Sequence, residues 1–336
     1  MGCEGTLRVA VPVDGADAPS AEQDAEPGSL VAAALDEAVA RIELLESRWS
    51  RFRPDSELSR LNRDGHARGL SEDTFSLVAD AVEAWRRTDA RFDPTVHDAL
   101  VAAGYDRTYA DVAGAAPLAR ADALAGPAED DAVRTPVPGP VGIRLDPDDR
   151  SVELPAGVHL DLGGIGKGRA VDVVAHLLHD RTGCGVCVDL GGDVRVLGPG
   201  PHDRPWGVVI EDPFDPATDL AVLALEAGAV ATSARTRRAW RSPAAGGGPA
   251  GTAGVAHHLI DPATGRPAVS GLAAVSVVAQ DAQWAEVVAK AAFVAGLGPG
   301  ADLITDLGLD GILVTDHGWA VRTPGFHRFE VADAAR

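Results

Sequence analysis

The sequence predicts an α+β fold in which mixed or antiparallel sheets pack against helices. Three observations point there. VGIRLDPDDRSVELP at 141–155 has the form of a β-hairpin, with DPDD as its turn. LVAAALDEAVARIELLESRW at 30–49 carries apolar residues at helical spacing. Along the chain, hairpins and helices mix without the regular strand–helix alternation of a doubly wound parallel sheet. No repeat of fixed period is present, and one domain spanning residues 1–336 is expected.

The elements follow in order. Residues 7–13 predict a first strand, and an acidic, Pro-containing segment follows it. Ser29 is placed to cap the helix over 30–49, and Ser71 to cap SEDTFSLVADAVEAWRRTD. Between these helices, SRFRPDSELSRLNRDG reads as a polar, turn-rich stretch carrying Phe52 and Asn62. After RFDPTV a short helical pattern runs to Gly104. Then DLGGIGKG leads into the helix RAVDVVAHLLHD. GVCVDLGGDVRVLG and WGVVIED read as two strands, and HHLIDPATGRP as a tight polar turn. AAVSVVAQ is a strand, DAQWAEVVAKAAFVAGL a helix, and GILVTD-HG-WAVRT a closing hairpin. Segments 14–28, 110–140 and 242–254 read as flexible, on their Ala, Gly, Pro and Asp content.

Composition narrows the function. The formal net charge is −20, and no basic cluster stands against it. This excludes nucleic acid and anionic membranes as expected partners. No stretch reaches the roughly 18–20 apolar residues of a membrane span. The N-terminus lacks the basic start and apolar run of an export signal, so a cytoplasmic location is expected. Three cysteines make an odd count, which speaks against a disulfide framework. CGVC at 184–187 runs into a strand and has no second pair to complete a zinc site, so its thiols read as ordinary.

Only two lysines occur in the chain, Lys167 and Lys290, and Asn62 is the only asparagine. Lys167 stands in DLGGIGKGRAVD, where glycines allow close backbone approach and a helix N-terminus favours an anion. Neither the P-loop nor the GxGxxG pattern is met, since Asp161, Gly168 and Arg169 stand at required positions. A solvated turn is the competing reading. VDLGGDV repeats the Gly-Gly theme, and structural roles for Asp189 and Asp193 are favoured. Asp93 is open to two readings, a helix cap or a ligand-binding group. The histidines of HHLIDPATG could supply a general base; Asp261 bonding its own turn is the plainer alternative. Glu286 and Lys290 lie four apart on a helix that is otherwise apolar nearly all round. A buried charged pair must be paired or face a polar site.

Taken in order, these stretches resemble the ApbE family of FAD:protein FMN transferases. The likeness runs from Met1-Gly2 through SRFRPDSELSRLN, FDPT at 92–95, DLGGIGKGRAVD, VDLGGDV, ATS at 231–233 and HHLIDPATGRP, to about residue 322. The resemblance implies an ApbE-like, T-fold-like domain. It implies cleavage of FAD with Mg²⁺ and attachment of FMN, through its phosphate, to a Thr or Ser of an acceptor flavoprotein. Some members hydrolyse FAD to FMN and AMP instead. By position, Phe52 would stack on the flavin nucleotide, and Met1, Arg91, Phe92, Asp93, Asp161, Lys167 and Ile260 would line the FAD site. His258 would be the base and Gly164 a metal ligand through its carbonyl. The family's late helix carries Asp and, four residues on, Thr; here Glu286 and Lys290 replace them. Glu286 could still ligate the metal. The Lys290 ammonium cannot, and it would take over part of the metal's charge, weakening Mg²⁺ binding. Ala234 also departs from a Gly common after Thr-Ser. Loss of transfer with FAD binding retained, or FAD pyrophosphatase activity, are the competing functions.

Overall fold

The structure is a computed structural model that describes residues 4–11, 27–115, 122–123, 134–215, 217–242 and 254–331. Met1 and most of the three segments expected to be flexible lie outside these residues.

The chain opens with strand β1 (Gly5–Ala10) and the long helix α1 (Pro27–Trp49). Helix α1 starts two residues before Ser29, so Ser29 lies in its first turn and is not the expected cap. Helix α2 (Glu57–Asp64) occupies the stretch read as turn-rich. The Ser56 side chain accepts from Ser59 N, and Gly65 closes the helix at φ 72°. Only Leu58 and Leu61 are buried from it, too thin a stripe for periodicity to reveal. A short β2 (His66–Ala67) precedes α3 (Glu72–Arg87), which Ser71 caps as expected by accepting from Thr74 N. Helices α4 (His97–Ala102) and α5 (Tyr109–Ala115) follow. Strands β3 (Arg144–Asp146) and β4 (Ser151–Glu153) form the anticipated hairpin, with β2 added at its edge.

Helix α6 (Gly166–Thr182) takes in Lys167 in its first turn. GVCVDLGGDVRVLG is two strands rather than one, β5 (Gly185–Leu190) and β6 (Asp193–Leu197). Gly191 and Gly192 form the two-residue turn at φ 66° and 92°. Positive φ at both central positions is what a tight hairpin turn of matching twist requires. Then come β7 (Trp206–Glu211), β8 (Asp219–Leu225), β9 (Gly228–Ala234), β10 (Ala239–Ser242) and β11 (Gly254–His257). β12 (Ile260–Asp261) and β13 (Arg266–Pro267) flank the turn of HHLIDPATGRP. The chain ends with β14 (Leu272–Ala279), α7 (Ala282–Ala295), α8 (Leu297–Asp306), β15 (Asp310–Thr315) and β16 (Ala320–Arg322). Helix α8 was not anticipated, because its Gly-Pro-Gly start reads as a breaker.

The main sheet has seven strands in the order β1-β5-β6-β9-β14-β15-β16, every neighbouring pair antiparallel. The α+β expectation holds. Side chains alternate faces along a strand. One face presents Val186, Val188, Ala229, Val275 and Val277 to α1, α6 and α7. The other presents Cys187, Val194, Val196, Val230 and Val278 to the β7–β8 hairpin through Trp206, Val208 and Leu223. Alternation therefore puts Asp193 and Arg195 on the helix-covered face, where both are buried. Cys184 and Cys187 are free thiols, and burial raises the Cys187 thiol to about 11. Among the described residues, no helix is long and apolar enough to cross a membrane.

Helices α6 and α7 touch backbone to backbone at Gly168. A Cβ there would lie 2.6 Å from the Ala282 carbonyl carbon and 2.7 Å from Gln283 Cα. Gly168→Ala must therefore push the two helices apart. The expected cost is about 1–3 kcal/mol, as for overpacked cores, read from the urea midpoint of unfolding. An unchanged midpoint would show that the helices separate freely.

Candidate active site

A cavity of about 320 Å³ opens between α2, the loop after α3, the N-terminal end of α6, α7 and the β11–β12 turn. Phe52, Arg91, Phe92, Asp93, Asp161, Gly164, Lys167, His258, Ile260 and Lys290 all line it. Residues far apart in the chain thus share one cavity. Glu286 lies just behind the wall, fully buried. Arg51, Tyr105 and Arg238 also line the cavity, and sequence reading missed them.

One wall is aromatic. The Arg51 guanidinium lies over Phe52 at 4.2 Å and over Tyr105 at 4.7 Å from the ring centroids. Phe52 and Tyr105 are 5.6 Å apart, and Tyr105 rests on the buried Trp240 at 5.1 Å. Arg51 is fixed by Asp161, whose Oδ2 lies 2.7 Å from Nε, and by donating to Tyr105 O at 2.6 Å. Asp161 Oδ1 accepts from Gly163 N at 2.7 Å. One carboxylate therefore shapes the glycine turn and sets the aromatic wall.

The lone asparagine explains how this turn is held. Asn62 Nδ2 donates to Leu160 O, and Asn62 Oδ1 accepts from Leu160 N, both at 2.8 Å. The side-chain amide acts as a one-residue strand partner and pins α2 to the segment before Asp161. On its other side, Asp161 N donates to Pro94 O at 2.8 Å. Asp93 does not cap α4. Its Oδ1 accepts from Thr95 N and Thr95 Oγ1 at 2.7 and 2.6 Å, closing a local turn. Burial raises the Asp93 carboxyl despite these bonds. Arg91 sits at the rim, paired with Asp89 at 3.0 Å.

Both lysines project into one buried cluster. Lys167 Nζ pairs with Asp193 and donates to Glu286 Oε1 at 2.7 Å. Lys290 Nζ donates to the same Oε1 at 2.9 Å, and Gly168 N donates to Oε2 at 2.8 Å. Burial alone would lower the Lys167 ammonium, but the Asp193 and Glu286 charges outweigh it and raise its pKa. Burial would raise Glu286, but the two ammoniums hold it below the usual carboxylate range. Burial, with the Lys167 charge nearby, lowers Lys290. Asp189 has the structural role favoured for it, accepting from Gly192 N at 2.8 Å. Asp193 instead meets Lys167, a contact that only the β5–β6 hairpin makes visible.

The histidines divide the work. His257 is buried in the core, with Nε2 3.1 Å from Ala268 O and Nδ1 accepting from Leu259 N at 3.2 Å. Burial lowers it to about 3, so it is a neutral structural group. His258 lines the cavity with Nδ1 3.3 Å from Arg238 O. A carbonyl partner makes Nδ1 the protonated nitrogen of the neutral ring and leaves the Nε2 lone pair as acceptor. Burial, then the Arg238 and Lys290 charges, lower His258 well below 6.5. It is a neutral imidazole with Nε2 unprotonated.

The residues expected to hold a divalent cation do not fit one. Both Glu286 oxygens are already used by two ammoniums and an amide. The Lys290 chain lies against Gly164, its Cδ 3.4 Å from where a Cβ on Gly164 would stand. Mg²⁺ needs hard oxygen ligands in near-octahedral array, and two adjacent ammoniums would repel it. The geometry departs from the expected ligand role of Glu286. Replacing Mg²⁺ with EDTA should therefore change FAD affinity of the wild type less than about twofold, by flavin fluorescence titration. Lys290→Thr should show a clearly larger Mg²⁺ effect. A wild type that needs tightly bound Mg²⁺ for affinity would overturn this account of the cluster.

Residues 1–313 match the family model described as ApbE family. The FAD:protein FMN transferase of Vibrio cholerae serotype O1 is 28% identical over 277 residues, covering 81% of this chain and 76% of that protein. The enzyme of the same name from Haemophilus influenzae is 26% identical over 298 residues, covering 86% and 80%. The crystal structure of the ApbE protein from Thermotoga maritima superposes with a TM-score of 0.73 at 28% identity, covering 93% of this chain and 94% of that one.

Proposed function

Because the chain belongs to the ApbE family, we propose that it is an FAD:protein FMN transferase acting on a Thr or Ser hydroxyl of an acceptor flavoprotein. The observation that carries this reading is the position of His258. A neutral imidazole with its Nε2 lone pair available lines the same cavity as the N-terminal end of α6 and the two lysines.

The chemistry follows from that arrangement. The flavin nucleotide lies along the Phe52 and Tyr105 wall, and Arg51 stiffens that wall. The diphosphate meets Gly163, Gly164 and the first turn of α6, where backbone amides and the helix dipole favour negative charge. The acceptor oxygen attacks the FMN-side phosphorus while His258 Nε2 takes its proton. The bond from that phosphorus to the bridging oxygen breaks, and AMP leaves with the electron pair. Lys290 and Arg91 offset the charge that grows on the phosphoryl oxygens, in place of a divalent cation.

Incubation with FAD and a Thr-containing acceptor, read by mass spectrometry, tests the reading. The acceptor should gain the mass of FMN less water, and AMP should appear. His258→Ala should slow transfer by about 10²–10⁴-fold, with FAD still bound. Intact FAD throughout would mean a binding protein, and free FMN with AMP a pyrophosphatase; either result would sink transfer.

The pH dependence has a definite sign. His258 works only when neutral, and its pKa in the fold is lowered. It therefore stays competent as pH falls through 6.5, the ordinary histidine value, and is lost only well below it. The acidic limb of log kcat against pH should lie under 6.5. A limb at 6.5 or above that moves in conservative variants of His258 would show an imidazole that titrates as in water.

A further inference from the structure

Outside the cavity, the same two segments carry a second group of side chains. His97 and Asp98 follow Phe92-Asp93-Pro94-Thr95 after one intervening residue, Val96, and His159 precedes Asp161 by two residues. His97 Nδ1 lies 2.8 Å from Asp98 Oδ1. His159 Nδ1 lies 3.0 and 2.9 Å from the two Asp98 oxygens. The two imidazoles stand 5.6 Å apart between centroids, tilted by 55°. One ligand atom from each residue falls within 4.8 Å of the others. None of the three lines the flavin cavity.

We propose that His97, Asp98 and His159 form a transition-metal site of the zinc class that staples the 92–98 segment to the 158–164 segment. Two imidazole nitrogens and one carboxylate oxygen are a donor set for Zn²⁺, Co²⁺ or Ni²⁺, and a poor one for Mg²⁺ or Ca²⁺. The carboxylate already draws both Nδ1 atoms toward one point. An ion there replaces two shared protons with two metal–nitrogen bonds. The side chains are 22%, 59% and 37% exposed for His97, Asp98 and His159, so water completes the coordination and ions reach the site from solvent. Asp161 N to Pro94 O already ties the two segments on their inner side. The metal adds a second tie on the outside, across 61 residues of sequence. This inference does not rest on the proposed transfer activity, since binding is read without FAD.

Untagged protein stripped with chelator is titrated with Co²⁺, followed by visible absorption, and with Zn²⁺ by calorimetry. One equivalent should bind, excess Mg²⁺ should not compete, and Zn²⁺ should raise the melting temperature. His97→Ala/His159→Ala should weaken Zn²⁺ binding by at least about tenfold, and Asp98→Asn should weaken it less. Circular dichroism confirms that each variant is folded, and FAD retention in metal-free buffer should match wild type. Absence of Zn²⁺ binding to the wild type, or equal binding by the folded double variant, would refute the site.

Discussion

The cluster of Lys167, Lys290, Glu286 and Asp193 is the constraint on which the rest of the site depends. Four charges meet where α6, α7 and β6 come together, and Glu286 and Asp193 are buried almost completely. Taking a charge out of water costs several kcal/mol, repaid only when partners and geometry are good. Here the partners match: two ammoniums against two carboxylates, with a backbone amide filling the last Glu286 oxygen. Gly168 is what permits this, because only a residue without a side chain lets α6 approach α7 closely enough for its amide to reach Glu286. The lysine and glycine positions of the cavity wall thus rest on the packing of α6 against α7.

That cluster also sets the charge that the cavity wall presents. Burial raises the Asp193 carboxyl to about 7 against the opposing pull of Lys167, so the cluster does not hold four equal charges. Lys290 reaches the cavity wall with its pKa lowered, whereas Lys167 is raised and bound to two carboxylates. The two lysines are therefore not equivalent. Lys167 holds α6 in place so that its N-terminal turn faces the cavity. Lys290 also lines the cavity and stands against Gly164, the backbone position expected to serve a metal.

Much of this was legible in the chain. Rarity was a usable signal: two lysines and one asparagine in a chain that otherwise avoids them all proved to hold the site together. Short motifs with strong local chemistry also read correctly, such as the Ser71 cap and the DPDD hairpin. Other features depended on tertiary partners. Arg51 and Tyr105 lie in unremarkable surroundings and acquire meaning only when Asp161, 110 residues after Arg51, closes on the guanidinium. Asp193 looked like a turn residue because its side-chain direction is set by the register of a hairpin read as one strand. Helix α2 was missed because two leucines in eight residues carry too little pattern, while its caps, Ser56 and Gly65, were there to be read.

The net charge of −20 sharpens the argument for short-range recognition. An acidic surface repels an anionic dinucleotide at distance, and salt screens that field beyond about 8–10 Å. Affinity must come from groups in contact. The cavity wall carries Arg51, Arg53, Arg91, Lys167, Arg238 and Lys290 against Glu46, Asp93 and Asp161, six basic residues to three acidic. Burial further weakens the case for a full charge on Asp93, whose carboxyl is raised. A basic, largely apolar-walled recess in an acidic protein discriminates by shape and contact, because anything that cannot fill the aromatic wall gains nothing to offset the repulsion outside. The same logic bears on His258: burial first, and then the Arg238 and Lys290 charges of this recess, keep the imidazole neutral, so the electrostatics proposed to favour a diphosphate also suit the proposed base.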